Sequence, residues 1–243
     1  MLSKAKVVSV KTILVTGASR GIGLEWTRQC LDRGHRLIAT CRNPENAPAL
    51  EELCENHSDQ IEVQPLDVEE EATVTSFFGQ LDERSETIDL LFNNAGIMDW
   101  DDLHSVSAES VEKVYKVNVL GALLVLRAAV PCLRRSSNPV VVNVSSRLGS
   151  IEIRGGTQLG GAIAYQCSKA ALNMLTKQAS IDLSPYGITV LSQSPGWVRT
   201  DMGGAEAKYS VQESVTSMLN HLLDAGPSLN GKFLGEDGIE IPW

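Results

Sequence analysis

The stretch "ILVTGASRGIGLEW" (residues 13–26) decides the fold. It passes from a strand-like apolar run through Gly17, Gly21 and Gly23 into a helical pattern. A pyrophosphate that approaches the backbone closely needs glycine at such a turn. The helix that follows offers unpaired N–H groups and the positive end of its dipole. The spacing is G-x3-G-x-G and not G-x-G-x-x-G. The residues alone therefore also fit a glycine turn that merely joins strand to helix, although three glycines at the first junction favour the dinucleotide.

Outward from this turn, short apolar runs alternate with helical patterns. Residues 11–16, 35–40, 61–66, 87–95, 139–146, 188–194 and 231–235 read as strands. Several are continuous apolar runs, as expected of parallel strands covered on both faces. Asp67 with Glu70 resembles a capping-box start, followed by Val74, Phe77, Phe78 and Leu81 at helical spacing. Ser210 with Glu213 forms a second such start. The alternation predicts βαβ units in one α/β domain over 1–243, a doubly wound parallel sheet of about seven strands with helices on both faces. Residues 147–161 form the one long irregular stretch, and loops of that length in a compact domain are usually functional.

Composition narrows the function. A formal charge of −9 without a basic run argues against nucleic acid. The N-terminal residues 1–15 carry no signal-peptide pattern. The longest apolar run, residues 119–126, is too short to span a bilayer. Five scattered cysteines without a CxxC fit neither a disulfide framework nor a zinc site, so no metal is expected and a reducing cytoplasmic setting is.

Strand two ends in "IATCRNP", where a ribose-binding acid for NAD would stand. Arg42 follows Cys41 there, and Arg20 sits in the glycine loop. Two guanidiniums suit a 2′-phosphate, so these positions favour NADPH (NADP) over NADH. In "AYQCSKAAL" (164–172), Tyr165 and Lys169 share a face if the stretch is helical. A tyrosine hydroxyl ordinarily titrates near 10, and a neighbouring ammonium lowers that value towards one useful for acid–base work. Taken alone, a Tyr-x3-Lys pair is more often a surface pair.

The segments "TGASRGIG" (16–23), "NNAG" (93–96), "KVNVLG" (116–121), "NVSS" (143–146), "YQCSK" (165–169) and "SPGWVRT" (194–200) together resemble the short-chain dehydrogenase/reductase family, in order and over nearly the whole chain. "GLEWTRQ", "SSRLGSI", "PGWVRTDMGG" and "NGKFLGEDGIEIPW" look most like the sniffer-type carbonyl reductases and their C-factor relatives. The resemblance implies a Rossmann fold with Tyr165 as proton donor and Lys169 as its tuner and ribose contact. It implies a serine on the substrate oxygen, Ser146 in preference to Ser145, and Asn118 supporting Lys169 through a water. By the same resemblance Gly17, Ser19, Arg20, Gly21, Ile22, Gly23 and Arg42 hold the adenosine and phosphate end. Asp67 and Val68 contact adenine, Asn94, Ala95 and Gly96 pass behind the adenosine ribose and nicotinamide, and Pro195, Gly196, Val198 and Thr200 follow the nicotinamide and pyrophosphate. The interval from Ser146 to Tyr165 is longer than the common family spacing, the extra residues falling in 147–161.

Met98, Trp100, Leu148, Trp197 and Met202 lie near the relevant strand ends as an apolar wall for a lipophilic aldehyde, ketone or quinone. The implied activity is NADPH-dependent carbonyl reduction of a small molecule. An alcohol or hydroxysteroid dehydrogenase working oxidatively, or a dinucleotide-binding C-factor-like signalling protein, are the alternatives. Family members commonly form homodimers or homotetramers, here through the helix from about 115 to 135 and the one carrying Tyr165.

Overall fold

The computed structural model describes residues 9–155 and 160–243. Part of the leader reading (1–8) and part of the irregular stretch (156–159) lie outside the described residues. All seven expected strands form: β1 (Thr12–Thr16), β2 (Arg36–Cys41), β3 (Ile61–Pro65), β4 (Leu90–Asn93), β5 (Val140–Val144), β6 (Thr189–Gln193) and β7 (Phe233–Leu234). They make one parallel sheet in the order β3-β2-β1-β4-β5-β6-β7.

Strand alternation explains the two cores. Ile13, Val15, Leu90, Phe92, Val140 and Val142 face α1 (Gly21–Leu31), α2 (Pro48–Asn56) and α7 (Val211–Leu222). Leu14, Leu91, Val141 and Val190 face α3 (Glu71–Glu83), α5 (Ala122–Leu133) and α6 (Ile163–Asp182). Trp26 of α1 stacks on Phe92 with ring centroids 3.7 Å apart. Every residue of β5 is buried, Asn143 included, as expected of a parallel strand covered on both faces.

Helix starts divide. Ser210 and Glu213 complete a capping box at α7. The Asp67–Glu70 box does not form: α3 begins at Glu71, and Asp67 Oδ1 instead accepts the Glu69 N–H at 3.0 Å. An Asx turn before the helix has taken the carboxylate that a cap would use.

Between α4 (Ala108–Tyr115) and α5 the chain makes a π-helical stretch, Lys116–Gly121. Gly121 sits against Val68, where a Cβ would come within 2.9 Å of Val68 Cγ2. The run Ala108–Leu133 is long and apolar enough to cross a membrane, which its short uninterrupted apolar segment hid from the sequence reading. In the fold it serves as a core helix, with Leu124, Val125, Leu126, Ala129, Cys132 and Leu133 all buried.

Candidate active site

Strand order reverses between β1 and β4, and ligands of open α/β sheets bind outside the carboxyl ends at that point. A cavity of about 470 Å³ lies there, running from Arg42 and Asp67 past the glycine turn to Tyr165 and Lys169. Of the sequence-predicted cofactor residues, Gly17, Ser19, Arg20, Gly21, Ile22, Arg42, Asp67, Val68, Asn94, Ala95, Gly96, Pro195 and Thr200 line it.

The glycine turn is built for close approach. Gly17 and Gly21 hold φ of +68° and +57°. Gly23 lies beneath the wall, where a Cβ would come 2.4 Å from Gly17 O. The "NNAG" turn is tied to this loop: Asn94 Nδ2 donates to Thr16 O at 2.9 Å and Gly17 O at 3.1 Å, and Ala95 N donates to Thr16 Oγ1 at 3.1 Å. At the open end Arg42 pairs with Glu69 at 3.8 Å, and Arg20 pairs with Asp201.

Gly196 and Val198 stand behind the cavity wall. Val198 is buried and bridges Tyr209, and Gly196 (φ +79°) leaves room for the Tyr209 ring. Sequence reasoning missed Cys41, Leu66, Glu69, Ile97, Arg199 and Asp201, all of which line the cavity. Asp201 adjoins Thr200 in the chain, and that adjacency was the available signal.

At the inner end, Tyr165 and Lys169 are buried on one face of α6, with Lys169 Nζ 5.5 Å from the phenol ring centroid. Nζ donates to Val144 O at 2.8 Å. The two serines separate in role. Ser145 Oγ donates to Asn173 Oδ1 at 2.7 Å and so ties β5 to α6, whereas Ser146 Oγ accepts the Leu148 N–H at 3.1 Å and acts on the Tyr165 hydroxyl from alongside. Asn118, in the π-helical stretch, accepts the Ile97 N–H and donates to Ile97 O and Ser168 Oγ, each within 3.0 Å. Gly96 lies between Asn118 and Lys169: a Cβ there would meet Asn118 Oδ1 at 3.3 Å and Lys169 Nζ at 3.5 Å.

The electrostatics differ from the sequence expectation. Burial pushes Tyr165 up to about 12, opposed more weakly by the neighbouring Ser146. Burial also brings Lys169 down to about 8. Removal from water disfavours both charged forms, and the opposing influence on Tyr165 comes from Ser146, not from Lys169.

The apolar candidates do not form one wall. Met202 lines the cavity, Leu148 lies in the turn after Ser146, and Met98 is half-buried beside Ile97. Trp197 is exposed and donates its indole N–H to Gly203 O at 2.8 Å. Trp100 stands 71% exposed.

The glycine cradle, the cavity at the reversal of strand order and a Tyr–Lys pair at its inner end define a Rossmann-fold oxidoreductase with a dinucleotide site. The chain belongs to the short chain dehydrogenase family, whose model matches residues 11–209. It is 40% identical to the C-signal of Myxococcus xanthus over 157 residues, 64% of this chain and 93% of that protein. The NADPH-bound carbonyl reductase from chicken fatty liver superposes with a TM-score of 0.91 at 35% identity, covering 96% of this chain and 99% of that one. The carbonyl reductase Sniffer of D. melanogaster gives 0.90 at 32% identity, covering 97% and 100%.

Proposed function

We propose that the chain is an NADPH-dependent carbonyl reductase acting on an aldehyde, ketone or quinone. The observation that carries this reading is Tyr165, held protonated by burial and placed with Lys169 in the cavity that the glycine turn lines. The likeness to an NADPH-bound carbonyl reductase supports it, as do Arg20 and Arg42 at the adenosine end.

The residues fit the cofactor through the close-approach glycines and the paired arginines. Bound there, NADPH supplies the hydride. Ser146 orients the substrate oxygen by hydrogen bonding. Tyr165 Oη gives its proton to that oxygen as negative charge develops on it. Lys169, charged below about pH 8, steadies the resulting tyrosinate and contacts the ribose. Asn118 braces Ile97 and α6 beside that lysine.

The oxidative alternative needs tyrosinate at the outset, which burial opposes. Free and largely buried cysteines fit a cytoplasmic enzyme. Met174 and Ile181, both exposed on α6, fit a homodimer or homotetramer contact.

A panel of aldehydes, ketones, quinones and steroids with both cofactors tests the activity. NADPH-dependent reduction is expected, and its absence across the panel overturns the reading. Arg42→Ala tests the cofactor choice: NADPH binding weakens about ten-fold while NADH is little affected. Equal losses for the two would refute NADPH preference.

A further inference from the structure

Two segments flank Ser194, whose Oγ accepts from Arg147 N at 3.2 Å and from Gly196 N at 3.4 Å. One is the turn Arg147–Gly149 that follows Ser146, and the other is the stretch Pro195–Thr200 that follows β6. A third element, outside the cavity, reaches both. Glu236, just after β7, is 8% exposed and accepts two hydrogen bonds in different directions. Its Oε2 accepts from Arg147 Nη2 at 3.2 Å, and its Oε1 accepts from Tyr209 OH at 2.9 Å.

Tyr209 is in turn fixed to the cofactor-side segment. Its N–H donates to Trp197 O at 3.0 Å, its carbonyl accepts the Arg199 N–H at 2.8 Å, and its ring covers Gly196.

The chain has made room for this carboxylate on both sides. A Cβ on Gly196 would come within 2.9 Å of the Tyr209 ring and 3.1 Å of Glu236 Cδ. A Cβ on Gly235 would come 2.4 Å from Arg147 Nη2. Burying a carboxylate is costly unless it is paired and hydrogen-bonded, and Arg147 and Tyr209 together supply that partnership. The same C-terminal segment continues along the substrate-side loop. Ser150 Oγ donates to Pro242 O at 2.6 Å, and Ile151 N and Glu152 N donate to Trp243 O at 3.1 and 3.0 Å.

We infer that Glu236 is a positioning residue, a two-ended acceptor that holds the Ser146 turn and the Pro195–Thr200 segment in register. It stands outside the cavity lining and acts through Arg147 and Tyr209. Its effect on turnover rests on the carbonyl-reductase reading, whereas its effect on the two segments does not.

Amide hydrogen exchange of the whole chain, followed over residues 146–155 and 195–204, tests the coupling itself. Glu236→Leu removes both acceptors and is expected to speed exchange in both segments at once. Arg147→Met should loosen the first segment only, and Tyr209→Phe the second only. Glu236→Gln keeps an acceptor for Tyr209 but turns an N–H towards the guanidinium, so it should loosen residues 146–155 alone. With a carbonyl substrate from the panel, Glu236→Gln should lower kcat about ten-fold, because small misplacement of reacting groups is costly, with little change in KM for NADPH.

Folded Glu236→Leu that leaves either segment at wild-type exchange overturns the inference. If that variant does not fold, Glu236→Gln with unchanged exchange over 146–155 overturns it equally. Should the panel reveal no reductase activity, the exchange data still decide the positioning role, so the two readings fail separately.

Discussion

Tyr165 and Lys169 occupy a setting in which neither charged form is favoured, and this makes their chemistry legible in pH. Lys169 is brought down to about 8 by burial, so its ammonium is lost as pH rises through that value. Tyr165, pushed up to about 12, keeps its proton throughout the same range. For reduction, kcat/KM is therefore expected to hold level below about pH 8 and to fall above it, a limb that belongs to the lysine. Lys169→Arg keeps a charge across this window and should move the limb upward even if the absolute rate drops. A limb at the same pH in that variant would mean that another group titrates. Stability runs the other way. The folded protein releases this lysine proton earlier than the unfolded chain does, so the cost of burying the ammonium is fully present below about pH 8 and lifts as pH rises towards the usual lysine value. Tyr165→Phe removes the proton donor without emptying the space. It should lower turnover by about a hundred-fold or more while leaving nucleotide binding measurable by fluorescence titration. Biological function that persists undiminished in that variant would instead favour a role that does not depend on turnover.

At the level of elements, the site depends on how closely the turn after β5 approaches α6. Gly149 is the wedge point: a Cβ there would lie 2.7 Å from Lys169 C and 2.8 Å from Lys169 Cβ. Gly149→Ala must push the turn away from the helix at the residue that carries the ammonium. We expect a loss of about 1–3 kcal/mol in denaturant unfolding, as for other overpacked contacts, together with reduced kcat. Wild-type stability in this variant would show that the turn can yield freely. The sequence made α6 visible through Tyr165, Lys169 and the apolar stripe Leu172, Leu175, Ala179 and Leu183, of which Leu172 and Ala179 are buried and Leu175 and Leu183 half-buried. It hid the rest of the buried face. Asn173, Thr176 and Ser180 are polar, yet all three are buried: Asn173 accepts from Ser145, and Thr176 accepts from Asn143 and Ser192. A periodicity argument assigns polar side chains outward, and only the hydrogen-bond partners on β5 and β6 reveal that these point in. The Asp67 turn failed for a related reason, since one carboxylate could serve either of two local backbone geometries and composition does not choose between them.

Across the whole molecule, what could be read in advance was local. The strand runs, the glycine turn and the ordered motifs sit within short windows, and the fold follows from their alternation. What could not be read depends on distant partners: Arg20 meets Asp201 from 181 residues away, and Glu236 reaches Arg147 across 89. The same holds at the opposite end of the sheet, where an ion network fastens the edge strand. Glu62 on β3 accepts from Arg84 Nη1 and Nη2 at 2.9 and 2.7 Å, and Arg36 on β2 binds Glu86 at 2.6 Å and lies 3.5 Å from Glu62. The Arg84 hydrogen bonds hold the Glu62 carboxyl below its usual 4.5. Because the folded value is depressed, the contribution is present above the unfolded pKa and is lost as pH falls through the folded one. The arginines are more than a third exposed, so solvent screening limits the worth of this network to about 1 kcal/mol or less. Glu62→Gln should therefore lower the thermal midpoint at neutral pH by about 2–4 °C at most. That gap should close as pH falls below the usual carboxylate range, and it should also narrow in high salt, where exposed charges are screened. Thermal unfolding of the two proteins from neutral pH into the acid range checks this. A gap of constant size through the acid range would show that Glu62 stabilises the β3 edge by packing and not by charge.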